Sequence, residues 1–155
     1  MEINIKDYKH IYMVGIGGIS MSGIAVILKK WDYIVSGSDG VKSNQTDWLE
    51  ENGIKVNIGQ VKENITEDID LIVYTAAVKQ DNPELVRAKE LNIPTVERGM
   101  FLGELTKLFK DTIGIAGTHG KTSTTSMVAS AFMEAGFDPS IQVGAVLNLI
   151  DGNYR

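Results

Sequence analysis

The chain is predicted to fold as α/β: a doubly wound parallel-sheet domain, followed by the first strand-helix-strand unit of a second domain. Three observations carry this. Short apolar runs of strand length alternate with stretches of helical period, as sequential parallel strands joined by right-handed crossovers require. Two glycine-rich bends, Gly15–Gly23 and Gly117–Gly120, each stand between an apolar run and a helical stretch. The run Leu71-Ile-Val-Tyr74 is apolar throughout, the pattern of a strand covered on both faces.

Taken in order, His10–Val14 is the first strand, and the glycine bend after it opens a helix through about Lys30 with Ile24, Ile27 and Leu28 inward. Tyr33–Ser36 is the second strand. Asn44–Asn52 is amphipathic, with Trp48 and Leu49 inward and Gly53 suited to a left-handed helix stop. Ile54–Asn57 is the third strand and Leu71–Tyr74 the fourth. The small residues Thr75-Ala76-Ala77 then turn at a strand's carboxyl end, the side on which open α/β sheets bind ligands. Asn82 caps the next helix, Pro83 takes its first position, and Leu85, Ala88 and Leu91 face the sheet. Pro94–Val96 is a fifth strand, and Gly99–Phe109 a helix carrying Phe101, Leu102, Leu105, Leu108 and Phe109.

Residues 1–107 thus form one complete domain, and 108–155 begin another. In the second, Ile113, Ile115 and Ala116 read as a short buried strand, Lys121–Ala135 as a helix, and Ser140–Gly144 as the approximate place of the next strand. One such unit seldom buries enough apolar surface to stand alone. The strand Ile113–Ala116 and the helix after it are therefore expected to dock on the first domain or to self-associate.

Composition narrows the function classes. Of 155 residues, 43% are hydrophobic and 23% charged, the balance of a globular protein. A net charge of −5 argues against sequence-independent binding of nucleic acid, so anionic ligands must be gripped locally by loops. The absence of cysteine excludes disulfides and thiolate metal sites. The start Met1–Tyr8 mixes both charge signs and does not read as a signal peptide, and no apolar run reaches membrane-spanning length. The reading is a cytoplasmic protein without membrane contact.

The second bend, Gly117-Thr118-His119-Gly120-Lys121-Thr122-Ser123, carries the chemistry of a phosphate-binding loop. Backbone N–H groups at the bend and at the helix start converge on one spot, the helix dipole favours an anion there, and Lys121 adds a full charge. Thr122 is placed to offer its hydroxyl to a Mg²⁺ that bridges phosphates. The strict pattern Gly-x-x-x-x-Gly-Lys-[Ser/Thr] fails at its first position, which falls on Ile115. The first bend resembles the dinucleotide fingerprint Gly-x-Gly-x-x-Gly at Gly15 and Gly17 but has Ser20 at the third place. Asp39 follows at about the 20-residue distance of a ribose-binding acid, and equally suits a turn or a helix cap.

In order and spacing, Gly15-Ile-Gly-Gly-Ile-Ser-Met-Ser-Gly-Ile-Ala25, Ser36-Gly-Ser-Asp39, Asn82-Pro-Glu84, Arg98-Gly-Met100 and Gly117-Thr-His-Gly-Lys-Thr122 resemble the bacterial Mur ligase family. The match runs over essentially the whole chain, and the Gly-Thr-His-Gly-Lys-Thr block is specific to one branch. The resemblance implies a Rossmann-like UDP-sugar domain and the opening of a P-loop ATPase domain, from a three-domain enzyme of peptidoglycan biosynthesis. It implies an ATP-dependent ligase that activates the carboxylate of UDP-N-acetylmuramate as an acyl phosphate for attack by L-alanine. Carried over, Gly15, Gly17, Gly18, Ile19, Ser20 and Met21 face the UDP diphosphate, and Asp39, Thr75, Ala76 and Ala77 lie along the nucleotide and sugar. Gly117, Thr118, His119, Gly120, Lys121, Thr122 and Ser123 hold ATP, with Lys121 as the catalytic cation and Thr122 toward Mg²⁺. His119 either touches the nucleotide or bonds within its loop. Gln60 stands where many relatives have histidine, and Ser20 where many have glycine. By the same resemblance the acidic Mg²⁺ ligand and the alanine domain fall outside these residues, so the chain alone is expected not to ligate.

Two other functions fit parts of the sequence. A sister branch that recycles muropeptides and loads a whole peptide shares the second bend, while the Gly-Ile-Gly-Gly-Ile-Ser-Met turn favours the biosynthetic branch. A nicotinamide-binding oxidoreductase domain is supported by Gly15, Gly17 and Asp39, and opposed by Ser20 and by the separate phosphate loop.

Overall fold

The computed structural model describes residues 3–150 and 152–155. Met1, Glu2 and Asp151, which the expected domain ranges and the reading of the N-terminus include, lie outside the described residues. Five parallel strands build the main sheet: β1 (His10–Val14), β2 (Ile34–Asp39), β3 (Lys55–Ile58), β4 (Leu71–Tyr74) and β5 (Thr95–Glu97). Their order is β3-β2-β1-β4-β5, and registers such as Ile11↔Val35 and Ile11↔Leu71 lock β1 at the centre.

Side chains alternate across this sheet because the strand period is two. Ile11, Met13, Val35, Val56, Leu71, Val73 and Val96 face one side. They meet α1 (Ile19–Lys30) through Ile24, Ala25 and Leu28, α2 (Asn44–Glu51) through Leu49, and α4 (Arg98–Thr106) through Phe101 and Leu105. Tyr12, Val14 and Ile72 face the other side and meet Leu85 and Ala88 of α3 (Pro83–Glu90), with Ile65 and Ile69. Leu71–Tyr74 is thus covered on both faces, as its unbroken apolar run requires.

Local signals place the helix ends. The Asn82 side chain accepts from the Glu84 amide at 2.9 Å, with Pro83 in the first turn. Ser43 and Thr46 form a reciprocal capping box at the start of α2. The connection from β3 to β4 holds no α-helix, only a short 3-10 turn at Lys62–Asn64.

Beyond α4 the structure corrects one expectation. Ile113–Ala116 is neither strand nor buried; it has no regular structure, and Ile113 is 59% exposed. A strand exists only within a ladder, and no described residue pairs with this segment. Helix α5 (Lys121–Glu134) follows as expected. The strand foreseen near Ser140–Gly144 is β6 (Gln142–Leu147), which turns back antiparallel onto β7 (Gly152–Tyr154).

That hairpin docks on α1 and α2. The Asn153 side-chain amide donates to the Ile19 carbonyl, Gln142 Nε2 reaches the Ser20 carbonyl at 3.5 Å, and Tyr154 packs on Trp48 with ring centroids 5.7 Å apart. Gly23 makes room for it: a Cβ there would stand 2.8 Å from Gln142 Oε1 and 3.0 Å from Asn153 Nδ2.

Candidate functional site

The sheet reverses direction between β1 and β4, because β2 and β3 are laid to one side and β5 to the other. Ligands of open α/β sheets sit at that switch point, beyond the carboxyl ends of the strands. The first glycine bend follows β1 there, and Thr75 follows β4. The two meet closely: Gly15 has φ +80, and a Cβ on it would stand 2.6 Å from Thr75 Cγ2. Only glycine combines that dihedral with that approach. Ala76 and Ala77 are exposed beside it.

Hydrogen bonding decides which amides of this bend are open. The Gly15 and Ile16 amides both donate to the Ser38 carbonyl, at 2.8 and 3.0 Å. Gly17 donates to Asp39 Oδ2 at 2.9 Å, and Gly18 to the Gly15 carbonyl at 3.2 Å. The Ile19, Ser20 and Met21 amides, in the first turn of α1, have no partner among the described residues. The first turn holds no acid, and Gly18 supplies no side-chain cap. The open donors are therefore Ile19–Met21, while Gly15, Gly17 and Gly18 spend their amides within the bend. Asp39 braces it, accepting also from the Val41 amide at 3.3 Å. Arg98 Nη1 donates to Ser20 Oγ at 3.1 Å and brings a cation to the same helix end.

The second bend is exposed from Gly117 to Ser123. Gly120 caps α5 in the left-handed conformation, φ 76 and ψ −1, and no side chain caps the helix. The Thr118, His119, Gly120, Lys121, Thr122 and Ser123 amides have no partner among the described residues. Lys121 Nζ folds back to donate to the Gly117 carbonyl at 2.5 Å and the Thr118 carbonyl at 3.2 Å. The ammonium is thus held against the loop's own carbonyls. That donor set fits a nucleotide polyphosphate. The Thr122 side chain is exposed one residue beyond Lys121, and no group of three or more His, Cys, Asp or Glu among the described residues is arranged to hold a metal.

A buried network that the sequence did not announce lies under the first bend. Glu84, fully buried, accepts from Tyr12 Oη at 2.9 Å, Ser38 Oγ at 2.6 Å and Asn64 Nδ2 at 2.7 Å. Burial raises its carboxyl above the ordinary range against the pull of Ser38, Asn64 and Tyr12, and burial likewise drives the Tyr12 phenol far up. The available signal was the pair Ser36 and Ser38, polar residues on one face of a strand in a parallel sheet.

A concavity of about 580 Å³ lies elsewhere, beside the β3–β4 connection that holds no α-helix. His10 spans it, bonded to Asp68 Oδ2 at 3.0 Å and to Ser36 Oγ at 2.8 Å. It has no helix start aimed into it, and its lining carries both charge signs, from Lys29 and Lys55 to Glu63 and Asp68. Helix starts whose amides have no partner among the described residues are instead at the two glycine bends.

Comparison with known proteins identifies the family. Residues 10–110 match the model of the Mur ligase family, catalytic domain. A UDP-N-acetylmuramate–L-alanine ligase of Clostridium kluyveri is 54% identical over 155 residues, which is 100% of this chain and 34% of the relative. The enzyme of the same name from Acetivibrio thermocellus is 51% identical, over 99% of this chain and 33% of its own length. Among solved structures, the UDP-N-acetylmuramate–alanine ligase of Thermotoga maritima superposes with a TM-score of 0.88 at 34% identity, over 96% of this chain and 34% of that one. The UDP-N-acetylmuramate:L-alanyl-gamma-D-glutamyl-meso-diaminopimelate ligase of Neisseria meningitides also gives 0.88, at 32% identity, over 96% of this chain and 46% of that one. The chain spans about a third of the length of the curated relatives it matches.

Proposed function

The chain belongs to the Mur ligase family, and from that premise we propose that it is the UDP-sugar-binding part, with the ATP loop, of the ligase that joins L-alanine to UDP-N-acetylmuramate. Backbone shape does not choose between branches, since the two solved ligases superpose equally well. Sequence chooses, because the relatives at 54% and 51% identity carry the L-alanine name. The observation that carries the reading is the pair of glycine bends, each opening a helix whose first-turn amides have no partner among the described residues.

In this reading residues 1–107 take the UDP-sugar and 108–155 open the ATP-binding domain. The Ile19–Met21 amides hold the diphosphate, with Gly15, Gly17 and Gly18 shaping their approach, and Asp39 and Thr75–Ala77 border the nucleotide and sugar. Thr118–Ser123 receive the ATP phosphates. Lys121 leaves the Gly117 and Thr118 carbonyls for the anion and neutralises charge there, which is how phosphoryl-transfer sites lower their barrier. Mg²⁺, when bound beside Thr122, supplies further charge neutralisation between phosphate oxygens. The carboxylate of the sugar's lactyl group is activated and attacked by the alanine amine in the complete enzyme; this chain alone binds and does not ligate. Exposed Ile113, Met127 and Phe137 make a second copy of the chain the expected neighbour at high concentration. The reading places the protein in the cytoplasm, where UDP-sugar and ATP are found together. No described helix is long and apolar enough to cross a membrane.

Isothermal titration of the chain with UDP-N-acetylmuramate, and separately with Mg-ATP, tests the proposal. Saturable binding of the UDP-sugar supports it; a flat UDP-sugar titration overturns it.

A further inference from the structure

Glu84 is a buried carboxyl that no step above uses. A carboxylate taken out of water costs several kcal/mol unless its lone pairs are satisfied, and an apolar replacement of equal volume is often neutral or better for stability. Glu84 therefore calls for an explanation other than stability, and its partners supply one. Tyr12 lies on β1 three residues before Gly15; Ser38 lies at the end of β2; Asn64 lies in the β3–β4 connection. One carboxylate thus gathers the three segments that frame the first glycine bend.

The connection continues through the main chain. Ser38, held by its hydroxyl, offers the carbonyl on which the Gly15 and Ile16 amides end. Its neighbour Asp39 takes the Gly17 amide by its side chain and the Gly59 amide by its carbonyl, at 2.9 and 2.8 Å. Asn64, held by Glu84, closes the loop by donating to the Gly59 carbonyl at 2.9 Å. Every engaged amide of the bend from Gly15 to Gly17 is thus referred to Ser38 or Asp39, and both are referred to Glu84 directly or through Gly59 and Asn64. We propose that Glu84 is a positioning residue for the first glycine bend: through Ser38 and Asn64 it fixes where the open Ile19–Met21 amides stand, and so sets the affinity for a diphosphate. This rests on the reading of that bend as the UDP-sugar site. A satisfied polar network of this kind defines one geometry where an apolar contact would tolerate several. The raised carboxyl agrees with the burial but is not needed for the argument.

The test uses the 155-residue chain with Glu84→Gln, which keeps the volume, and Glu84→Met, which removes the acceptors. Amide hydrogen exchange is read at Gly15, Ile16 and Gly17 and, as reference, at Leu71–Val73 in the core, with affinity for UDP-N-acetylmuramate measured in parallel. Expected are exchange at least tenfold faster at the bend, unchanged exchange at Leu71–Val73, and a dissociation constant for the UDP-sugar raised about tenfold, with the larger effects in Glu84→Met. Bend exchange and affinity both within twofold of the parent overturn the inference. So does equal acceleration at the bend and at Leu71–Val73, which marks a merely structural role. Should the parent chain not bind the UDP-sugar, the site reading fails, and bend exchange alone still decides whether Glu84 positions it. If neither Glu84 variant folds, Ser38→Ala cuts the same link at its milder end, with the same bend-against-core difference expected.

Discussion

Asp39 Oδ2 accepts the Gly17 amide at 2.9 Å, so a carboxylate stands within the bend that is proposed to receive a diphosphate. Its charge opposes an incoming anion, yet its bond keeps the bend folded. The bond is charge-assisted and partly buried, worth about 1.5–3 kcal/mol. Screened repulsion across a solvated mouth at an effective dielectric near that of water is about 1 kcal/mol or less. Bracing wins. Asp39→Ala is therefore expected to lower stability by about 1–2 kcal/mol in urea unfolding and to weaken UDP-N-acetylmuramate binding. Tighter binding in the variant would reverse the order of the two effects.

Lys121→Ala separates the two bends. Its ammonium bonds only exposed loop carbonyls at Gly117 and Thr118, so stability is expected to change by less than about 0.5 kcal/mol. Loss of a charge-assisted phosphate contact costs about 2 kcal/mol, roughly a thirtyfold weaker Mg-ATP affinity. UDP-sugar affinity is expected to stay put. Calorimetric titration with each ligand reads both outcomes.

Gly23→Ala tests the docking of the hairpin. Alanine favours a helix interior by about 1 kcal/mol over glycine, but its Cβ would meet Gln142 Oε1 and Asn153 Nδ2 at 2.8 and 3.0 Å. The helix is expected to gain and the hairpin to leave: a melting temperature of the five-stranded domain held or raised, with a changed Trp48 emission as Tyr154 withdraws from 5.7 Å. An unchanged Trp48 spectrum would show that the hairpin adjusts in place.

Stability against pH has two opposing limbs. Asp70 accepts the Lys9 and His10 amides, both at 2.8 Å, and these backbone bonds, His10 first, hold its carboxyl below the ordinary range. A depressed carboxyl stabilises above its unfolded value, near 4, and that contribution is lost as pH falls through the folded value. Asp70→Asn is expected to flatten this acid limb of urea midpoint against pH. Glu84 works the other way. Burial raises its folded value, so the unfolded chain ionises first and stability falls as pH rises above about 4.3, the unfolded value. Glu84→Gln is expected to remove that decline and leave the acid limb intact.

Much of the sheet was legible because its signals are local. His10–Val14 and Leu71–Tyr74 have the bounds their apolar runs predict, and Asn82 with Pro83 marks a helix start that depends on adjacent residues alone. The left-handed Gly53, φ 72, is of the same kind. What was misread depends on distant partners. Ile113–Ala116 has strand composition, but composition supplies no ladder. The turn-back of β6 onto β7 was missed although Asp151-Gly152 is an Asp-Gly pair of the kind that favours hairpins. In the sequence Glu84 stood out only as part of the Asn82-Pro-Glu84 block, whereas its burial partners Tyr12 and Ser38 are 72 and 46 residues away along the chain. At the site, glycine spacing located both bends, but only hydrogen bonding distinguished shaping amides from open ones.

The hairpin's grip on α1 has a geometric consequence. The polypeptide departs from the first domain after α4 and is fastened to it again at Asn153 and Tyr154, so the Gly117–Gly120 loop and α5 form a handle secured at both ends. A handle so secured cannot drift to arbitrary distance, and in the proposed function it keeps the ATP loop near the UDP-sugar bend at an effective concentration set by the span between the two fastenings.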